Sequence, residues 1–116
     1  MITDTELSQH LFKLILQSDY EAVTAHLKAH KGLLKRMQTS FKRSPLNMAI
    51  EKNDLKMVEI LISFGAMPFQ KAYSDQFDLQ LPPYHLAKRL GYKEICSFLE
   101  PLAEDKTVLF IDFSEK

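Results

Sequence analysis

Apolar positions recur along this chain at steps of three and four, the spacing of one face of a helix. From Thr5 to Gln17 the stripe is Leu7, Leu11, Leu14 and Ile15, and from Asp19 to Ala29 it is Ala22, Val23 and Leu27. The spacing resumes over Pro45–Lys52 and Leu55–Phe64, then over Pro83–Leu90 and Tyr92–Leu99. Each stretch predicts a short helix with one buried face, and the helices come in three pairs. The punctuation agrees. Ser44-Pro45 opens a helix, since the hydroxyl accepts an orphan N–H and proline at the first position loses no bond. Asn53-Asp54 separates the middle pair: asparagine tolerates a left-handed backbone and aspartate caps the second helix. Gly91 does the same in the third pair, while Gly65 ends the second helix of the middle pair and Pro68 blocks its continuation. Between the first two pairs, Leu33, Leu34 and Met37 predict a further short helix.

Helices of about eight residues are not stable alone. Three such pairs must therefore stack on one another, and a stack predicts an internal repeat. The middle and third pairs align at an offset of 38: Pro45 on Pro83, Asn47 on His85, Ala49 on Ala87, Asn53 on Gly91, Ile60 on Phe98 and Leu61 on Leu99. The first pair aligns with the middle one at 35, with Leu11 on Leu46, Ser18 on Asn53, Asp19 on Asp54 and Val23 on Val58. Small Ala49 and Ala87 let helices approach closely, and Leu46, Val58, Leu61, Leu86, Ile95 and Leu99 fill the space between pairs.

The run Ser44-Pro45-Leu46-Asn47-x-Ala49, then Asn53, Val58, Leu61-Ile62 and Gly65-Ala66, resembles the ankyrin repeat. That family's motif reads Thr-Pro-Leu-His-x-Ala, a glycine, a valine, two leucines and a closing Gly-Ala. The third unit keeps Pro83, His85, Ala87 and Gly91 and departs at Tyr84, Glu100 and Ala103. The first has Gln9-His10 where Thr-Pro stands in the motif, and Ser18 for the glycine. Against the family period of about 33 residues, an offset of 38 implies an insertion of about five, placed at Lys71–Leu79. The expected fold is all-α: an ankyrin-repeat solenoid of about three helix-turn-helix units and a short C-terminal extension. The repeat domain spans residues 1–104, with units at about 5–38, 39–72 and 73–104, and the tail spans 105–116. In the family, the fourth motif position ties neighbouring turns by hydrogen bonds. Asn47 takes part of that role here and His85 more of it.

Charge changes the picture only locally. Fifteen basic and fifteen acidic residues cancel, so net charge gives no reason to expect nucleic acid or an anionic membrane. From Ala22 to Ile50, however, there are six cations (Lys28, Lys31, Lys35, Arg36, Lys42 and Arg43) and no acid. The stretch Lys28–Arg43 is either a solvated connection or a patch facing an acidic partner. Only Phe41 interleaves it, which argues against nucleic acid. Apolar runs such as Leu14–Leu16 are far short of a membrane span. Asp4 and Glu6 stand where a secretory signal puts cations, so a cytoplasmic setting is expected, with export into a host cell by a signal-independent route left open.

Candidate chemistry is thin. His26 and His30 stand four apart on a helix, a zinc-compatible spacing, but without a following glutamate or an obvious third ligand. A solvated face is the expected reading, and no metal site is assigned. Cys96, the one cysteine, rules out an internal disulfide and reads as a core residue. No phosphate loop or nucleophile turn occurs, so neither enzyme activity, a cofactor nor a small-molecule substrate is expected. The segment Thr107–Phe113, rich in β-branched and aromatic residues, predicts a strand. It either covers the last pair or pairs with a partner or a second copy, which leaves monomer and homodimer both open.

The resemblance implies binding of another protein through turn tips and first-helix faces. Those positions are Gln38, Ser40, Phe41, Arg43, Glu51 and Lys52 in the middle unit, and Asp78, Leu79, Leu81, Arg89 and Leu90 in the third. Phe41, Leu79, Leu81 and Leu90 are apolar anchors beside arginine, an interface composition; alternatively, Phe41 and Leu81 pack under their own turns. Many short proteins of this family are bacterial and some act inside host cells, so the resemblance extends to an effector or regulator. The rival readings are a homo-oligomeric subunit assembling through the C-terminal strand, and a small metal-binding or enzymatic helical protein.

Overall fold

A computed structural model of the chain describes residues 2–40, 44–70, 72–74 and 79–111, with 38–40, 72–74 and 79–80 described by backbone alone. The paired helices are α1 (Asp4–Leu16) with α2 (Tyr20–Ala29), α4 (Pro45–Glu51) with α5 (Leu55–Ser63), and α6 (Pro83–Leu90) with α7 (Lys93–Leu99). The linking helix α3 spans Leu33–Ser40. Their starts follow from capping chemistry. Thr3 and Glu6 form a reciprocal capping box on α1. Asp19, Ser44 and Asp54 each accept an N–H of the next first turn, from Ala22, Asn47 and Met57.

The repeat is visible in the backbone. Ser18, Asn53 and Gly91 occupy equivalent positions and all turn left-handed, at φ +54°, +56° and +79°. After each, an N–H reaches back five residues to a carbonyl: Asp19 to Leu14 at 3.1 Å, Asp54 to Ala49 at 3.1 Å, Tyr92 to Ala87 at 3.0 Å. The same turn is thus built three times with serine, asparagine and glycine.

The pairs stack in two rows. α1 packs on α4 and α4 on α6, while α2 packs on α5 and α5 on α7. The result is elongated, 43 × 25 × 25 Å. Ala49, Ala87, Val58, Leu61, Leu86, Ile95 and Leu99 are fully buried between the pairs. The tie expected between neighbouring turns is present at Asn47, whereas His85 bonds the C-terminal tail in place of a further repeat turn. Asn47 Nδ2 donates to the Leu81 carbonyl at 3.4 Å, and His85 Nε2 to the Val108 carbonyl at 2.7 Å.

Two expectations need correction. The insertion at Lys71–Leu79 contains a short antiparallel hairpin, β1 (Ala72–Ser74) against β2 (Leu79–Leu81), with Ala72 opposite Leu81 and Ser74 opposite Leu79. The tail is not a strand where it is described: Lys106–Phe110 is a 3-10 helix. Asp105 starts it by accepting both the N–H and the hydroxyl of Thr107. Its carbonyls go to side chains of α6, Val108 to His85 and Leu109 to Lys88 at 3.0 Å. Strand propensity describes a pleated surface with neighbours, and the tail meets a helix instead of a sheet edge. Residues 112 and 113 lie outside the described residues.

Candidate interaction surface

The positions expected to meet a partner have divided fates. Phe41, Arg43 and Asp78 lie outside the described residues. Gln38 and Ser40 belong to the end of α3, and Leu79 pairs in β2. Leu81 is 0% exposed, so it packs beneath its own turn and is not a contact residue. Its side chain joins the main core cluster, and its carbonyl accepts from Asn47 of α4. Glu51, Arg89 and Leu90 are half-buried, and Leu90 packs against the core. The first-helix face of the middle unit is largely closed, because every residue of α4 from Pro45 to Ile50 is buried. α1, α6 and β1 all pack on it.

Lys52 is exposed along its stem, but its ammonium is engaged. It donates to the Leu16 carbonyl at 2.7 Å, the Ile15 carbonyl at 3.3 Å and the Ser18 hydroxyl at 2.8 Å. A cation there satisfies the orphan carbonyls ending α1 and matches the negative end of the helix dipole. Ser18 in turn donates to Asp54 Oδ2 at 3.0 Å, and the Tyr20 hydroxyl to Asp54 Oδ1 at 2.8 Å. Lys56 lies 4.7 Å from the centre of the Tyr20 ring. These side chains tie the turn of the first unit to that of the second, and Lys52, though exposed, serves as a structural tie.

The basic stretch is partly neutralised. Arg36 makes a two-pronged ion pair with Asp4, at 2.8 and 3.2 Å. Lys28 shares a shallow groove with Lys56, Tyr20, Glu21 and Ile60 between α2 and α5. Lys31 and Lys35 are exposed.

His26 and His30 do not form a simple solvated face. His10 of α1 joins them, its ring 5.0 Å from that of His26, which is 4.8 Å from that of His30. The spacing within α2 was legible; the third imidazole, from another helix, was not. His26 Nε2 donates to the Leu7 carbonyl at 3.0 Å. Burial lowers the His26 pKa, outweighing that hydrogen bond, and the two neighbouring imidazoles add to the effect. Among the described residues no group of three or more His, Cys, Asp or Glu is arranged to hold a metal ion. Cys96 is half-buried, and burial, then the Glu100 carboxylate, pushes its thiol up. It therefore stays protonated and unreactive at neutral pH.

One exposed apolar surface was not singled out by the sequence. Met67, Leu102, Phe110 and Ile111 are exposed, and they are four of the six large exposed apolar side chains among the described residues. A groove of about 530 Å³ runs between the loop after α5 and the chain leaving α7. Ala66, Met67, Pro68 and Phe69 line one side, and Leu102, Glu104, Asp105 and Val108 the other. Its signal was faint: Leu102 falls between Pro101 and Ala103-Glu104, outside any helical stripe. No helix among the described residues is long and apolar enough to cross a membrane. No protein-family model, curated protein or solved structure matches this chain.

Proposed function

We propose that the chain is a small ankyrin-type repeat scaffold that binds another protein and performs no catalysis. The observation that carries this reading is the threefold turn. Ser18, Asn53 and Gly91 repeat one backbone geometry at the spacing of the sequence repeat. The Asn47 and His85 ties recur at the position where the motif places histidine. A stack of helix pairs whose polar side chains are spent on holding units together supports recognition better than chemistry. Recognition also suits the apolar side chains left in solvent at Met67, Leu102, Phe110 and Ile111. The half-buried thiol of Cys96 fits a reducing compartment, the bacterial or host cytoplasm.

The segment before α4 is the first to test, since Phe41 and Arg43 pair an aromatic side chain with a guanidinium, the residue types that interface centres favour. Affinity capture from lysate is to be run with the wild type beside a Phe41→Ala/Arg43→Ala double variant. A partner retained by the wild type and lost by the variant, with melting temperatures within a few degrees, is the expected result. Unfolding of Phe41→Ala alone would assign that ring to the core. Equal capture by both proteins would move the interface elsewhere.

A further inference from the structure

The groove beside the tail has an unbalanced lining. Ala66, Met67, Pro68, Phe69, Leu102 and Val108 give it an apolar lining, Gln70 adds an amide, and Glu104 and Asp105 bring two carboxylates, with no cation among the described residues that line it. Asp105 is held in place by the Thr107 N–H at 3.0 Å and hydroxyl at 2.8 Å. Those two bonds also keep its carboxyl below the usual range, so the charge is present at any physiological pH. Lys106, next to Asp105 in sequence, reaches the Glu100 carbonyl at 3.5 Å and does not line the groove, and Lys71, next to the lining residue Gln70, lies outside the described residues. Acids dominate the surrounding chain as well: from Glu94 to Asp105 there are four and no lysine or arginine.

Fixed negative charge beside an apolar lining selects against anionic occupants. Phosphate backbones, fatty acids and acidic peptides would all bring like charge to the two exposed carboxylates. The volume lies within the range of sites that bury small ligands or a few side chains, roughly 300–1,000 Å³. Met67 and Leu102, each 42% accessible, both line it as flexible and aliphatic contacts.

We propose that this groove docks an extended segment of a partner protein in which an apolar anchor is flanked by lysine or arginine. The anchor sits between Met67 and Leu102, and the cations pair with Glu104 and Asp105. The inference rests on reading the chain as a binding module and adds a second contact surface, with its own chemistry, to the segment before α4.

The test uses the full chain and two labelled amidated peptides. One carries a central Phe-Leu pair flanked by arginines, the other the same pair flanked by glutamates. Fluorescence anisotropy at low salt measures affinity, and amide shifts map the site. The arginine peptide is expected to bind at least about ten-fold more tightly than the glutamate peptide, given the electrostatic preference of the two carboxylates. Shifts are expected at residues 66–70 and 102–108. Glu104→Lys, at an exposed position, should lower that affinity by a similar factor without changing the melting temperature. Equal affinity of the two peptides, no binding of either, or shifts confined to another face would overturn the proposal. So would an unchanged affinity in Glu104→Lys, or light scattering showing that a second copy fills the groove. Lysate capture that still depends on Phe41 and Arg43 while neither peptide binds would sink the groove alone and leave the binding-module reading standing.

Discussion

Asn53 holds φ +56° on an exposed turn, a backbone region that glycine enters freely and other residues enter at a cost. Its equivalent in the third unit is already Gly91. Asn53→Gly is therefore expected to stabilise the chain by about 0.5–1 kcal/mol, read as a higher urea midpoint at unchanged slope. Ser18→Gly should not follow suit, although its φ is +54°. The Ser18 hydroxyl accepts from Lys52 and donates to Asp54, and glycine would forfeit both bonds. The imidazoles give a second residue-scale expectation. His26 and His85 both have pKa values below the ordinary 6.5, in each case chiefly through burial. His26 faces the Leu7 carbonyl, His10, His30 and, across its pocket, Glu6. His85 faces the Val108 carbonyl, the Tyr84 ring and Lys88. As pH falls through 6.5 the unfolded chain takes up protons before the folded one does, so stability is full above that value and declines below it. Urea midpoints should drop between about pH 7.5 and 5.5. A His26→Gln/His85→Gln double variant should flatten that slope; an equally steep one would assign the effect to other groups.

Among the elements, Asp54 has two tasks where Asp19 has one. Both cap a helix, Asp19 through Ala22 and Asp54 through Met57. Asp54 alone also accepts hydroxyls from the preceding unit, Ser18 and Tyr20. Asp19→Ala should cost about 1 kcal/mol, the usual worth of a cap. Asp54→Ala should cost roughly 2–3 kcal/mol, because the Tyr20 and Ser18 hydroxyls lose their partner as well. Similar losses for the two variants would mean that the inter-unit bonds contribute little. The helices themselves were legible in the sequence to within a residue or so, because caps and apolar stripes are local signals. Ser44-Pro45 and Asn53-Asp54 mark their boundaries directly. The tail was misread because its β-branched run carries no information about what it lies on. His85 and Lys88, some twenty residues away, decide its backbone by taking its carbonyls.

At the scale of the whole molecule, each pair packs chiefly on its neighbours, so the ends are the weak points of the stack. Deleting residues 106–116 removes the carbonyl partners of His85 and Lys88 and uncovers Leu109's packing site. A loss of about 1–3 kcal/mol is expected from the forfeited bonds, with the molecule's oligomeric state unchanged under light scattering. A truncation of undiminished stability would show that the tail does not cover the last pair. The stacking order was legible because Ala49, Ala87 and the leucines around them recur at fixed offsets. The interaction surface was much less so. Lys52 and Leu81 occupy positions that the repeat pattern assigns to contact, yet the turn network engages the Lys52 ammonium and Leu81 is buried. Met67 and Leu102 come together across 35 residues of chain and obey no period.

The bond between His85 and the Val108 carbonyl stands where a further connecting turn would offer its own carbonyl, as Leu81 does to Asn47. The tail thus acts as a full stop written in the grammar of the array. A duplicated helix pair added after Ala103 would find its berth occupied, and growth by tandem duplication at this end requires losing residues 106–110 first. Lengthening at the opposite end, ahead of Thr3, meets no such counterfeit among the described residues.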